Sequence, residues 1–203
     1  MENYDYEKVY SATDKYYWGV KPSEMCLKIV SFMPPDKPLK VLDIGCGEGK
    51  DSVFLARCGY DVSAFDISNA GVEKTKRLAD KANVNINVFQ ANLLDYRLDC
   101  NYDILYSSGV LHYIKPELCN EIIRNYQMHT NKNGLNALNV FVEKPFIAPS
   151  PEKEEQSSLW ISGQLLTLYS NWLIEGFSEV IFDCNSSGIP HQHAMNVMYA
   201  RRK

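Results

Sequence analysis

Residues 41–49 read Val41-Leu42-Asp43-Ile44-Gly45-Cys46-Gly47-Glu48-Gly49, an apolar run that takes in one acid and breaks into three alternating glycines. Such a run reads as a strand entering a tight loop. Gly45, Gly47 and Gly49 can take backbone conformations closed to other residues and let a ligand approach the main chain closely. Asp43 sits where a carboxylate would repel a pyrophosphate and attract a cation. The loop therefore implies a nucleoside-type ligand that carries positive charge rather than phosphates.

Two phosphate-binding readings fail on spacing. A dinucleotide fingerprint needs its last glycine at position 50, which is Lys50. A phosphate loop needs a glycine where Ile44 stands and a hydroxyl residue where Asp51 stands. A plain strand-to-helix turn is the remaining alternative, although it rarely requires three alternating glycines behind an acid. S-adenosylmethionine (SAM), with its sulfonium and ammonium groups, fits the charge. A second apolar run, Val62-Ser63-Ala64-Phe65-Asp66, again ends in an acid. That carboxylate can accept hydrogen bonds from both ribose hydroxyls, with Ile67 beside it against the cofactor, or it can merely cap the helix that follows. After the third strand, Asn92 and the Leu93 backbone would meet an adenine, while Asn92 as a turn residue is an equal reading.

Outward from the loop, apolar runs recur at 39–44, 61–66, 85–90, 102–107, 135–142, 177–184 and 194–200. Helical periodicity fills 22–32, 49–58, 68–82, 115–129 and 163–174, with Ser68 as an N-cap and Pro116 in a first turn. Alternation of this kind implies a layered α/β sheet. Residues 91–101 are short for a crossover, so the usual helix there should shrink to a turn. Asn133-Gly134 marks the turn into the fifth strand, and the loop around Asn185-Ser186-Ser187-Gly188 lets the last two strands close as an antiparallel hairpin.

At 203 residues and 45% hydrophobic content the chain suits one domain. A net charge of −4 without basic runs argues against a nucleic-acid partner. No apolar stretch approaches the roughly 18 residues of a membrane span, and the first residues lack a signal-peptide pattern. Six widely spaced cysteines form no Cys-x-x-Cys pair, which suits reduced thiols in a cytoplasm. The expected partner is a small-molecule acceptor, with no membrane and no nucleic acid, and the chain is expected as a monomer or homodimer.

Two stretches fit no strand or helix: the aromatic leader 1–21, and 143–161 with its prolines and the run Glu152-Lys153-Glu154-Glu155. The second is long for a connection and reads as a substrate lid. In the leader, Tyr17 and Trp18 can staple it to the body or close over a sulfonium by cation–π contact. The latter predicts that Trp18→Ala weakens cofactor binding, and an unchanged dissociation constant would exclude it. His112, after the fourth strand, is the first choice for a catalytic group, against a packing or capping role. His191 and His193 fall in the loop closing the last hairpin, on the substrate side. Their spacing could chelate a metal, but two ligands without a third leave the expectation at no metal. His129 at a helix end is structural.

The string 41–49, with Asp66 and Tyr102-Asp103-Ile104-Leu105-Tyr106, resembles the class I SAM-dependent methyltransferases over most of the chain. Within them it looks most like the tellurite-resistance methyltransferases, through Thr13-Asp14-Lys15-Tyr16, Ser23-Glu24, Gly59-Tyr60-Asp61-Val62, Gly109-Val110-Leu111, Gly163-Gln164-Leu165 and the ending Met198-Tyr199-Ala200-Arg201-Arg202-Lys203. The resemblance implies a Rossmann-like, mostly parallel seven-stranded sheet with an antiparallel last strand and helices on both faces. It gives Asp43 and the glycine loop to the methionine end of SAM, Asp66 to the ribose, and Asn92 with Leu93 to the adenine; Ser108 joins the cofactor site. Lys132-Asn133-Gly134 replaces the Pro-Gly-Gly of many relatives, and residues 184–193 do not clearly preserve the family's His-Arg pair. The expected activity is methyl transfer to a small acceptor, a chalcogen oxyanion such as tellurite or a thiol or amine, releasing S-adenosylhomocysteine (SAH). A non-catalytic SAM- or SAH-binding module is the alternative. Tyr106-Ser107-Ser108-Gly109 lacks the Asn/Asp-Pro-Pro-aromatic pattern of amine and glutamine methylation.

Overall fold

The structure, a computed structural model, describes residues 5–150, 158–185 and 188–203. Seven strands form one sheet: β1 Lys40–Ile44, β2 Asp61–Asp66, β3 Asn87–Gln90, β4 Tyr102–Ser107, β5 Thr130–Val142, β6 Leu173–Cys184 and β7 His191–Arg201. Their order is β3-β2-β1-β4-β5-β7-β6, with β7 antiparallel to both neighbours and the other named pairs parallel. The helices are α1 Tyr6–Ser11, α2 Glu24–Phe32, α3 Lys50–Arg57, α4 Asn69–Ala82, α5 Pro116–Met128 and α6 Gln164–Leu168.

Side chains alternate across a strand, so β1 feeds two cores. Leu42 and Ile44 pack with Ile122, Ile123 and Tyr126 of α5 and Leu165 of α6. Val41 packs on the opposite face with Cys26 and Ile29 of α2 and Leu55 of α3. The sheet is thus covered on both faces, as a buried parallel sheet requires. Ser68 caps α4 by accepting from the Gly71 N–H at 3.0 Å, and Pro116 occupies the first turn of α5. The link 91–101 is a turn, closed by the Asp95 and Tyr96 N–H groups on the Asn92 carbonyl. No helix among the described residues is long and apolar enough to cross a membrane.

Four expectations need correction. The leader is not without structure: Asp5 caps α1, and Tyr10 gives that short helix a buried anchor. The helix expected over 163–174 stops at Leu168, because pairing of Leu173 with Arg201 draws the following residues into β6. Asn133-Gly134 does not precede the fifth strand but kinks it from within, Asn133 taking φ 64° beside a register irregularity opposite Tyr102 and Ile104. His191 and His193 lie in β7 rather than in a loop, opposite Cys184 and Phe182 of β6.

Candidate cofactor and acceptor site

The candidate site residues Asp43, Gly45, Gly47, Gly49, Asp66, Ile67, Asn92, Leu93, Ser108, His112, His191 and His193 lie at the carboxyl edge of the parallel strands, and Tyr17 and Trp18 lie in the leader that reaches it. Ligands of open α/β sheets bind at that edge. His129 ends α5, its Nδ1 2.9 Å from the Asn125 carbonyl oxygen, in the structural role expected.

Asp43 points to the α3 face of β1 and is 2% exposed. Ser52 of α3 donates to its Oδ2 at 2.5 Å, yet burial dominates and pushes the carboxyl up to about 8. A buried carboxylate of this kind favours any cation that reaches it. One strand over, Asp66 accepts from the Gly47 N–H at 2.8 Å and the Ser68 N–H at 2.9 Å. It therefore braces the glycine loop and the start of α4 together, which joins the capping role to a place at the site. Burial raises its pKa, against the lowering effect of those backbone donors.

The glycines answer to the protein as well as to any ligand. Gly45 has φ 73°, and a Cβ there would lie 2.4 Å from Val110 in the loop after β4. Gly71 in α4 leaves room for the Gly47 carbonyl, 2.7 Å from where its Cβ would be, so the helix passes directly against the loop. Gly47 in turn lies under Tyr10 and Trp18. Tyr10 accepts from Trp18 Nε1 at 2.9 Å, and the Trp18 N–H donates to Glu48 at 3.1 Å. Glu48 pairs at 2.7 Å with Lys74 of α4, which also donates to the Lys15 carbonyl. The leader is thereby fastened to the glycine loop through a buried ion pair, while Tyr17 and Trp18 keep exposed ring surface and meet edge to face at 4.8 Å.

At the end of β3, the Ala91 N–H donates to the Asp66 carbonyl, which brings Asn92 and Leu93 beside the second acid. Asn92 itself is a turn residue here: its Oδ1 accepts from the Leu94 N–H and its Nδ2 donates to Asp95, both at 3.0 Å. Gln90 donates to the carbonyl of exposed Ile67 at 2.9 Å, tying the ends of β2 and β3.

After β4, buried Asn139 of β5 holds the loop, accepting from the Gly109 N–H at 2.7 Å and donating to Ser108 Oγ at 3.1 Å. His112 follows in a single 3-10 turn, Leu111–Tyr113, and is 4% exposed. Its ring lies 4.6 Å from Phe141, which stacks on His193 at 5.1 Å. Beyond it, His193 Nε2 and His191 Nε2 are 2.9 Å apart. The third donor missing from the sequence spacing is Cys184, whose Sγ lies with the two imidazole nitrogens inside a 4.8 Å limit.

The expected lid at 143–161 is anchored on both sides of its middle. Trp160 is buried and donates from Nε1 to the Leu111 carbonyl, and the Ser158 N–H donates to the His112 carbonyl at 2.7 Å. Lys144 pairs with Glu179 of β6 at 2.7 Å, and hydrogen bonds from Lys144, Ser162 and Asn196 bring that carboxyl down to about 2. Pro151 and the run Glu152-Lys153-Glu154-Glu155 lie outside the described residues. A cavity of about 610 Å³ lined by Lys37, Lys40, Asp99 and Asp103 lies at the opposite, amino edge of the sheet, away from both acids.

Sequence reading missed Tyr10, Glu48, Lys74, Asn139 and Cys184. One signal was present, since a glycine inside a helix, as at Gly71, often marks a close approach. The others become partners only through the sheet order.

Comparison with known proteins agrees with this geometry. The family model for the tellurite resistance protein TehB matches residues 6–185. A probable S-adenosyl-L-methionine-dependent methyltransferase TehB of Haemophilus influenzae (strain 10810) is 35% identical over 101 residues, 50% of this chain and 35% of that protein. The match thus spans about a third of that relative's length. The crystal structure of TehB from Haemophilus influenzae superposes with a TM-score of 0.81 at 24% identity, over 98% of this chain and 68% of that one. The magnesium protoporphyrin IX methyltransferase of Synechocystis PCC 6803, solved with bound SAH, gives a TM-score of 0.68 at 15% identity, over 97% and 83% of the two chains. The sheet order is thus that of the Rossmann-like methyltransferases, and, with most of its length matched by the family model, this chain belongs to the TehB tellurite-resistance family.

Proposed function

We propose that residues 1–203 act as one SAM-dependent methyltransferase domain for a small acceptor, a chalcogen oxyanion such as tellurite or a thiol or amine. The observation that carries this reading is the pair Asp43 and Asp66, two buried carboxylates on adjacent strands flanking a glycine loop. Its donor set suits a nucleoside with a cationic tail: Asp43 for the ammonium, the loop for the amino-acid end, Asp66 for the ribose and the Ile67, Asn92 and Leu93 surface for the adenine. The names of the relatives point the same way.

When bound, SAM supplies a methyl carbon on sulfur; an acceptor lone pair takes that carbon as the carbon–sulfur bond breaks and its electron pair stays on sulfur. The tasks of the chain are alignment and exclusion of water. Tyr17 and Trp18 close the cofactor side, and the described residues 143–150 and 158–161 wall the acceptor side. His112 takes a proton only for acceptors that must lose one as they attack. His191 and His193 line the acceptor approach. Incubating the purified chain with SAM and a panel of tellurite, selenite, thiols and amines should release SAH with at least one of them. SAM binding without turnover on any acceptor would favour the binding-module reading, and absence of SAM binding would overturn both.

A further inference from the structure

We propose that Cys184, His191 and His193 form a three-ligand site for a borderline-to-soft divalent metal ion of the Zn²⁺ class, with a fourth position open to an exogenous ligand. Their register places them together: Cys184 and His191 are directly paired across β6 and β7, and His193 stands two residues on, on the same face. The three donor atoms lie within 4.8 Å of one another, all half-buried.

The tautomer of His191 is fixed for ligation. Its Nδ1 lies 2.7 Å from the Ile189 carbonyl oxygen, which can only accept, so Nδ1 carries the hydrogen and Nε2 presents a lone pair. That lone pair points at His193 Nε2, 2.9 Å away. A tetrahedral ion with bonds of about 2.0–2.3 Å holds its ligand atoms roughly 3.3–3.7 Å apart. The two nitrogens need only part slightly and the sulfur close in, movements available to side-chain rotation beside the loop that joins β6 to β7. As the metal bonds form, the thiol proton passes to solvent, and the hydrogen that His193 Nε2 donates to His191 Nε2 is exchanged through solvent to His193 Nδ1, which frees both Nε2 lone pairs for the ion.

The donor set selects the ion. One thiolate and two imidazoles suit Zn²⁺ or Co²⁺ and are wrong for Mg²⁺ or Ca²⁺, which demand oxygen. Three protein ligands rather than four is the pattern that leaves a position for a non-protein ligand. His193 stacks on Phe141, which also packs against His112, so the site adjoins the proposed acceptor approach without sharing a residue with the cofactor groups.

The test uses Co²⁺ as a spectroscopic stand-in, titrated into the reduced full chain. One equivalent should bind with the intense visible bands of a tetrahedral ion and a thiolate-to-cobalt charge-transfer band, and one equivalent of Zn²⁺ should erase both. Cys184→Ser should lose the charge-transfer band, and His191→Ala should weaken binding at least 100-fold; His129→Ala should leave the titration unchanged. Circular dichroism checks that each variant is folded. Absence of stoichiometric binding to the wild-type chain, or a titration unaltered in folded Cys184→Ser and His191→Ala, would overturn the site. SAM binding is measured separately and does not enter this outcome.

Discussion

Asp43→Asn is expected to weaken SAH binding about 10- to 100-fold, the range for a hydrogen bond to a charged group, and at the same time to make the ligand-free protein more stable at pH 8. The two effects share one cause. Burial lifts the Asp43 carboxyl from 3.8 to about 8, so between those values the folded chain holds a proton that the unfolded chain has released. Stability from this group is fully present below about 3.8 and is lost as pH rises towards about 8. Asparagine still accepts from Ser52 but does not titrate. Urea unfolding at pH 5.5 and 8.5 should therefore show a falling stability for the wild type relative to the variant, and calorimetry with SAH should show the loss of affinity. Parallel pH slopes for the two proteins would refute the charge argument, and an unchanged dissociation constant would remove Asp43 from the ligand.

The second large effect concerns Lys74. It and Glu48 are 2.7 Å apart with side chains 2% and 1% exposed, so removing one partner strands a charge with no solvent to answer it. Lys74→Met should cost about 3–5 kcal/mol in urea unfolding, the range for a broken buried pair. Glu48→Gln combined with Lys74→Met should recover more than half of that loss, because the amide still accepts from the Trp18 N–H and no charge remains. Equal losses in the single and double variants would show that Lys74 acts through packing alone. The variant also releases the Lys15 carbonyl, so looser attachment of the leader should appear as faster proteolysis near residue 15.

The central part of the fold was legible because its signals are local. Strands ending at Asp43-Ile44, Asp66 and Ser107 each carry their apolar run and their stop signal within a few residues, and Ser68 and Pro116 announce the helices that follow. The failures come where long-range pairing overrules local preference. Nothing near Leu173 says strand; its partner Arg201 does. Nothing in the spacing of His191 and His193 supplies a third donor, because Cys184 is brought to them by the hairpin. Lys74 reads as an ordinary helix-surface lysine until the glycine loop is laid against α4. Asn92 shows the limit at the site: turn and adenine contact were equal readings, and the described hydrogen bonds favour the turn.

The place of β7 has a further consequence, for the order in which the sheet is completed. It comes last in chain order among the seven strands of the sheet, yet it lies inside the sheet between β5 and β6. Until its eleven residues have left the ribosome, β5 presents a bare hydrogen-bonding edge from Leu135 to Val142, apolar except for Asn136 and Asn139, and β6 has no strand to join. An edge of that length and composition is a template for pairing with other chains. The sheet is therefore at its most adhesive just before β7 is made, and the strand that ends that state also brings in His191 and His193.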